Sequence, residues 1–134
     1  DRRMASKKSI SWAKKLCKEY RVKYRFTNRK INYGYAEPYN RFILVPKHWD
    51  SRHFKSAVAH EIAHCLNYQN KKYYKYHAGI YTKKYYKKMA LRAEIYTDKM
   101  GKQLAKKHGF YNYKRSYYYN KRSRDFLNNW IDNK

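Results

Sequence analysis

Aliphatic side chains are scarce in this chain, and they fall into a few short stripes that limit what it can fold into. The hydrophobic fraction is 43%, but 18 of those residues are Tyr, whose polar tip tolerates a surface position. A chain of 134 residues has room for one core and one domain. The densest aliphatic run, Phe42-Ile43-Leu44-Val45, is far too short to span a membrane.

The stripes predict an α+β domain. Ala13, Leu16, Cys17 and Tyr20 recur at i, i+3, i+4 and i+7, which gives residues 6–20 one apolar helical face. Ser9 or Ser11 is placed to cap that helix. Tyr24 and Phe26, then Ile31, Tyr33 and Tyr35, alternate with polar residues as strands do. With residues 42–45, stopped by Pro46, they read as a small, three-stranded, mainly antiparallel sheet. Asp50-Ser51 offers a cap for a second helix near residues 54–68, with Val58, Ile62, Cys65 and Leu66 as its core stripe. A polar loop, residues 67–76, follows. Tyr81, Tyr85, Met89, Ala93, Tyr96, Met100 and Leu104 then keep a 3.6-residue rhythm up to a stop at His108-Gly109-Phe110. So long a helix is expected to break between Met89 and Glu94. Residues 111–134 read as a basic, Tyr-rich tail, with a short final helix burying Phe126, Leu127, Trp130 and Ile131.

Charge bounds the partners. Lys and Arg number 34 against nine Asp and Glu, a formal charge of +25. Self-repulsion of that size calls for a polyanion, most simply nucleic acid, bound without sequence reading. Cations interleave with tyrosines at Lys71, Lys72 and Lys75, at Lys83, Lys84, Lys87 and Lys88, and at Lys114, Arg115, Lys121, Arg122 and Arg124. Cations hold phosphates and aromatic faces stack on bases. Lys, Asn, Tyr and Ile also share AT-rich codons, so genome composition is an alternative source of the enrichment. Cys17 and Cys65 do not make a disulfide framework; reduced, buried thiols are expected. No apolar segment follows the basic N-terminus, so the expected setting is intracellular or inside a virion, not secreted.

The second helix carries chemistry. His60-Glu61-Ile62-Ala63-His64 matches H-E-x-x-H. Residues i and i+4 share a helix face, so both imidazoles reach one ion, and the glutamate between them can take a proton from water beside it. Zinc suits such donors, and a catalytic site needs a third protein ligand. Two candidates follow. His77 lies at the end of the polar loop. Glu94 lies on the next helix, with Asp98 one turn later as a carboxylate to orient a ligand. Tyr81 or Tyr96 is a candidate donor to an oxyanion.

The strand at residues 42–46, followed by Ala57-Val58-Ala59-His60-Glu61-Ile62-Ala63-His64, resembles the core of SprT-like (Spartan-type) zinc metallopeptidases. In that family a third histidine follows in an H-G-x-x-[FW] motif. The matching stretch here is His77-Ala78-Gly79-Ile80-Tyr81, with the glycine moved one place. The resemblance, over about residues 6–89, implies a zincin-like fold, zinc held by His60, His64 and His77, and Glu61 as general base. It also implies DNA-bound proteins as substrates. A glutamate third ligand would instead make the site gluzincin-like. The strand at residues 42–45 is expected at the sheet edge, where an extended substrate could pair with it. The competing reading is a nucleic-acid-associated structural or virion protein on a zincin scaffold, with protease activity minor or lost.

Overall fold

The computed structural model describes residues 4–68 and 83–115, and the side chains of residues 4–67 and 94–115. Among the described residues, three α-helices and a small mixed sheet give an α+β fold. Helix α1 spans Lys7–Glu19, and its cap is Ser6 rather than Ser9 or Ser11. Ser6 Oγ accepts from the Ser9 N–H at 3.1 Å, while Ser9 itself is buried in the first turn. Ala13, Leu16 and Cys17 are buried, as their spacing requires.

The strands are β1 (Lys23–Thr27), β2 (Tyr35–Glu37) and β3 (Phe42–Pro46), in the order β1-β3-β2. This corrects two expectations. The sheet is mixed, because β1 runs parallel to β3 and only β2 is antiparallel to it. And β3 lies at the centre, not the edge. The reason is burial: Ile43 and Val45 are fully buried, so the most aliphatic strand takes the position with a ladder on both sides. The aromatic strands β1 and β2, with Tyr24 and Tyr35 exposed, are left at the rims. Residues 31–33 lie outside β2, which is only three residues long.

Helix α2, Ser51–Tyr68, carries the H-E-x-x-H residues. Asp50 caps it, accepting the His53 N–H on Oδ1 at 2.8 Å. Phe54, Val58, Ile62 and Cys65 are fully buried and join Ile43 and Val45 in the main core. The other side of α2 is lined by Ala59 and Ala63, both fully buried. These small side chains allow close approach of helix α3, Lys83–Lys107. No break interrupts α3. Residues 90–94, Ala-Leu-Arg-Ala-Glu, are strong helix formers with neither Gly nor Pro among them.

The stop at Gly109 is as the sequence predicts. Gly109 has φ +83°, its N–H bonds the Lys106 carbonyl at 3.1 Å, and the Phe110 N–H bonds the Ala105 carbonyl at 2.8 Å. This is a Schellman ending. The chain then does not leave as a tail at once. Residues 110–115 strap back onto α2: Arg52 Nε donates to the Asn112 carbonyl at 2.9 Å, and the Lys114 N–H donates to Ser56 Oγ at 2.8 Å. Trp12 on α1 secures the same corner, donating from Nε1 to the His108 carbonyl at 2.8 Å. The expected final helix lies outside the described residues. Among the described residues, no helix is long and apolar enough to cross a membrane.

Candidate metal centre

His60 and His64, one turn apart on α2, present their rings edge to face with centroids 4.8 Å apart. Both Nε2 atoms aim at one carboxylate. Glu94 Oε2 lies 3.1 Å from His60 Nε2, and Glu94 Oε1 lies 3.2 Å from His64 Nε2. Two donors on a tetrahedral zinc with bonds of about 2.1 Å sit about 3.4 Å apart. The two observed separations are close to that edge length. One donor atom from each of His60, His64 and Glu94 lies within 4.8 Å of the other two, a group that could hold a metal ion. Two imidazoles and a carboxylate are the donor chemistry that zinc accepts.

Asp98 stands behind the group, one turn after Glu94. Its Oδ1 lies 3.3 Å from His60 Nδ1 and accepts a hydrogen bond from the Tyr113 hydroxyl. Asp98 is 2% exposed and Tyr113 8%. A carboxylate on Nδ1 leaves Nε2 as the nitrogen free to ligate. Register between the two helices is fixed one turn further along by a buried pair, Asn67 Nδ2 donating to Thr97 Oγ1 at 3.2 Å.

The electrostatics follow from crowding these groups out of water. Burial pushes the His60 pKa down, but hydrogen bonds to Asp98 and Glu94 overcome it and carry the value up to about 10. Burial would raise Glu94; the neighbouring His64 and His60 hold it well below the usual carboxylate range instead. Glu61 is shifted upward by burial, although His64 and His60 oppose this. The centre is therefore a compact cluster of opposed charges, and a cation entering it must displace the proton that His60 holds.

His60, His64, Glu61 and Glu94 line an open cleft of about 310 Å³, closed on its other side by Gly34, Tyr35, Ala36 and Pro38 of β2 and its flanks. The strand edge facing the site is thus β2. Of the two third-ligand candidates, Glu94 is at the histidines, while His77 lies outside the described residues. Tyr81 also lies outside them. Tyr96 is 37% exposed and is not among the residues lining the cleft. Lys83, Lys84, Lys87 and Lys88 fall in the first turns of α3. Lys114 and Arg115 are exposed at the end of the strap. Lys71, Lys72, Lys75, Lys121, Arg122 and Arg124 lie outside the described residues. Cys17 and Cys65 are free, buried thiols, whose pKa values burial pushes up to about 12.

Two residues at the site escaped sequence reasoning. Tyr113 was one tyrosine among 18, with no periodicity to mark it. Gly101 marks a close helix approach: a Cβ there would lie 3.1 Å from His60 Cα and 3.2 Å from His60 N. A lone glycine inside a strong helical rhythm was the available signal. Compared with known proteins, the chain matches no family model, no curated protein and no solved structure.

Proposed function

We propose that this chain is a zincin-type metallopeptidase of gluzincin-like ligand set, with zinc held by His60, His64 and Glu94 and with Glu61 as general base. The observation that carries the reading is the convergence of Glu94, thirty residues away in sequence, on both Nε2 atoms, at 3.1 and 3.2 Å. A zinc ion there supplies a Lewis acid that polarises a carbonyl and eases deprotonation of water. The rest is the work of the chain. Glu61, in the same cleft and with its pKa raised by burial, takes a proton from water and returns it to the leaving amine. A site that only stabilises a fold has no use for that carboxylate, which favours an enzyme over a purely structural or virion protein.

The outer edge of β2 has no strand partner among the described residues and flanks the cleft. An extended peptide laid along it by main-chain pairing would bring its carbonyls over the histidines. The likeness to SprT-like enzymes supports peptide substrates; the charge of +25 supports substrates associated with nucleic acid, inside a cell or virion. The test is Glu61→Gln assayed on casein and on histone, with and without single-stranded DNA. We expect cleavage to fall by about a hundredfold or more, with metal content retained. Unchanged cleavage would refute the assignment of Glu61.

A further inference from the structure

We propose that Tyr113 is a positioning residue of the metal centre, locking Asp98 of α3 against His60 of α2; this rests on the metal-site reading above. A buried phenol always needs a partner. Here the partner is the one carboxylate oxygen that also faces His60 Nδ1.

The strap explains why this contact positions the carboxylate and does more than fill space. Tyr113 follows α3 in sequence, but the strap that holds it is tied to α2, the helix that bears the histidines. Its neighbours Asn112 and Lys114 are tied to Arg52 and Ser56 of α2, and Ser56 is one turn before His60. The hydroxyl is therefore fixed in the frame of α2, yet it grips a side chain of α3. Gly101 completes the arrangement, since a Cβ at that position would lie 3.0 Å from the Tyr113 hydroxyl. The ring itself packs with Ala59, Ala105 and Phe110.

Removing the hydroxyl leaves Asp98 buried with one donor fewer. The carboxylate is then less firmly aimed at His60 Nδ1. The imidazole loses its brace, and Nε2 its alignment toward Glu94. Partners behind a ligand are typically worth about 10- to 100-fold in metal affinity. Tyr113 acts one step further back, so the expected loss is about five- to tenfold.

The experiment titrates the full chain with Zn²⁺ alone against a chromophoric chelator, for wild type, Tyr113→Phe, Asp98→Asn and the double variant. Co²⁺ absorption is recorded for each as a report of ligand geometry. Tyr113→Phe is expected to weaken zinc binding about five- to tenfold and to alter the Co²⁺ bands, and Asp98→Asn to weaken it more. In the Asp98→Asn background, Tyr113→Phe should add less than about twofold, because its effect passes through Asp98. Phe110→Leu, a packing change in the same cluster, should lower thermal stability and leave zinc affinity unchanged. Wild-type affinity in Tyr113→Phe, or its full loss repeated on top of Asp98→Asn, overturns the proposal. Should Tyr113→Phe fail to melt cooperatively, unchanged affinity in Asp98→Asn overturns it. A wild-type chain that takes up no zinc overturns the metal-site reading as well, so the two failures are distinguishable.

Discussion

Gly101→Ala tests how tightly the two helices close on the metal centre. Helix propensity alone favours alanine over glycine by about 1 kcal/mol. The structure opposes it. The new methyl would sit 3.0 Å from the Tyr113 hydroxyl, 3.1 Å from His60 Cα and 3.2 Å from His60 N, where ordinary contact begins at 3.4 Å. Two of these atoms are backbone inside α2 and cannot rotate away. The third is a hydroxyl held by Asp98. The helices must therefore separate by a few tenths of an ångström. Overpacking of this kind costs about 1–3 kcal/mol, so the net change is a loss of about 1 kcal/mol, or roughly 3–5 °C in Tm for a domain of this size. Asp98 and Glu94 retreat with α3, and zinc affinity should fall about tenfold. Circular-dichroism melts and a chelator competition measure both. Gly109→Ala is the control: its Cβ would meet nothing within 4 Å, but φ is +83°, so it should cost about 1 kcal/mol of strain and leave zinc affinity intact. A raised Tm with unchanged affinity in Gly101→Ala would refute the claimed close approach.

The pH dependence of the metal-free chain follows from two opposed shifts. His60 is raised from 6.5 to about 10, so its contribution to stability is whole below about pH 6.5 and fades as the pH climbs toward 10. Glu94 is lowered from 4.5, so its contribution is present above that value and is lost as the pH falls through the depressed one. Melts in chelator should show Tm declining between pH 7 and 10, and saturating zinc should flatten that decline; a flat metal-free profile over this range would contradict the assigned cluster. At the end of α1, Arg21 holds φ +55° in a second Schellman ending, its N–H on the Lys18 carbonyl at 3.2 Å and the Val22 N–H on the Cys17 carbonyl at 2.9 Å. Arg21→Gly should therefore raise stability by about 0.5–1 kcal/mol in urea unfolding, and a loss would show that the arginine side chain outweighs its backbone strain.

The helices were legible because their periodicity is local. Val58, Ile62 and Cys65 announce one face of α2, and Gly109 announces the end of α3 through a conformation that few other residues adopt. The candidate metal site was legible in part for the same reason, since H-E-x-x-H and the Glu94/Asp98 pair are both i, i+4 patterns. Which candidate meets the histidines is a tertiary fact, set by the alanine-lined crossing of α2 and α3. Sheet order was hidden because alternation shows which residues share a face but not which strand lies beside which. Only the greater burial of Ile43 and Val45 decides that β3 is central. Ser6 and Ser9 are equally good caps by composition, and the choice rests on where the apolar face of α1 must point. Tyr113 was invisible because its role depends on a strap that returns to α2 from beyond Gly109.

The ligand set can be read from zinc content after exhaustive dialysis of wild type, Glu94→Ala and His77→Ala, each checked for a cooperative melt. The proposed ligand set predicts about one zinc per wild-type chain, loss of that zinc in Glu94→Ala and its retention in His77→Ala. Zinc retained in Glu94→Ala and lost in His77→Ala would contradict the centre described here and restore the three-histidine arrangement of SprT-like enzymes.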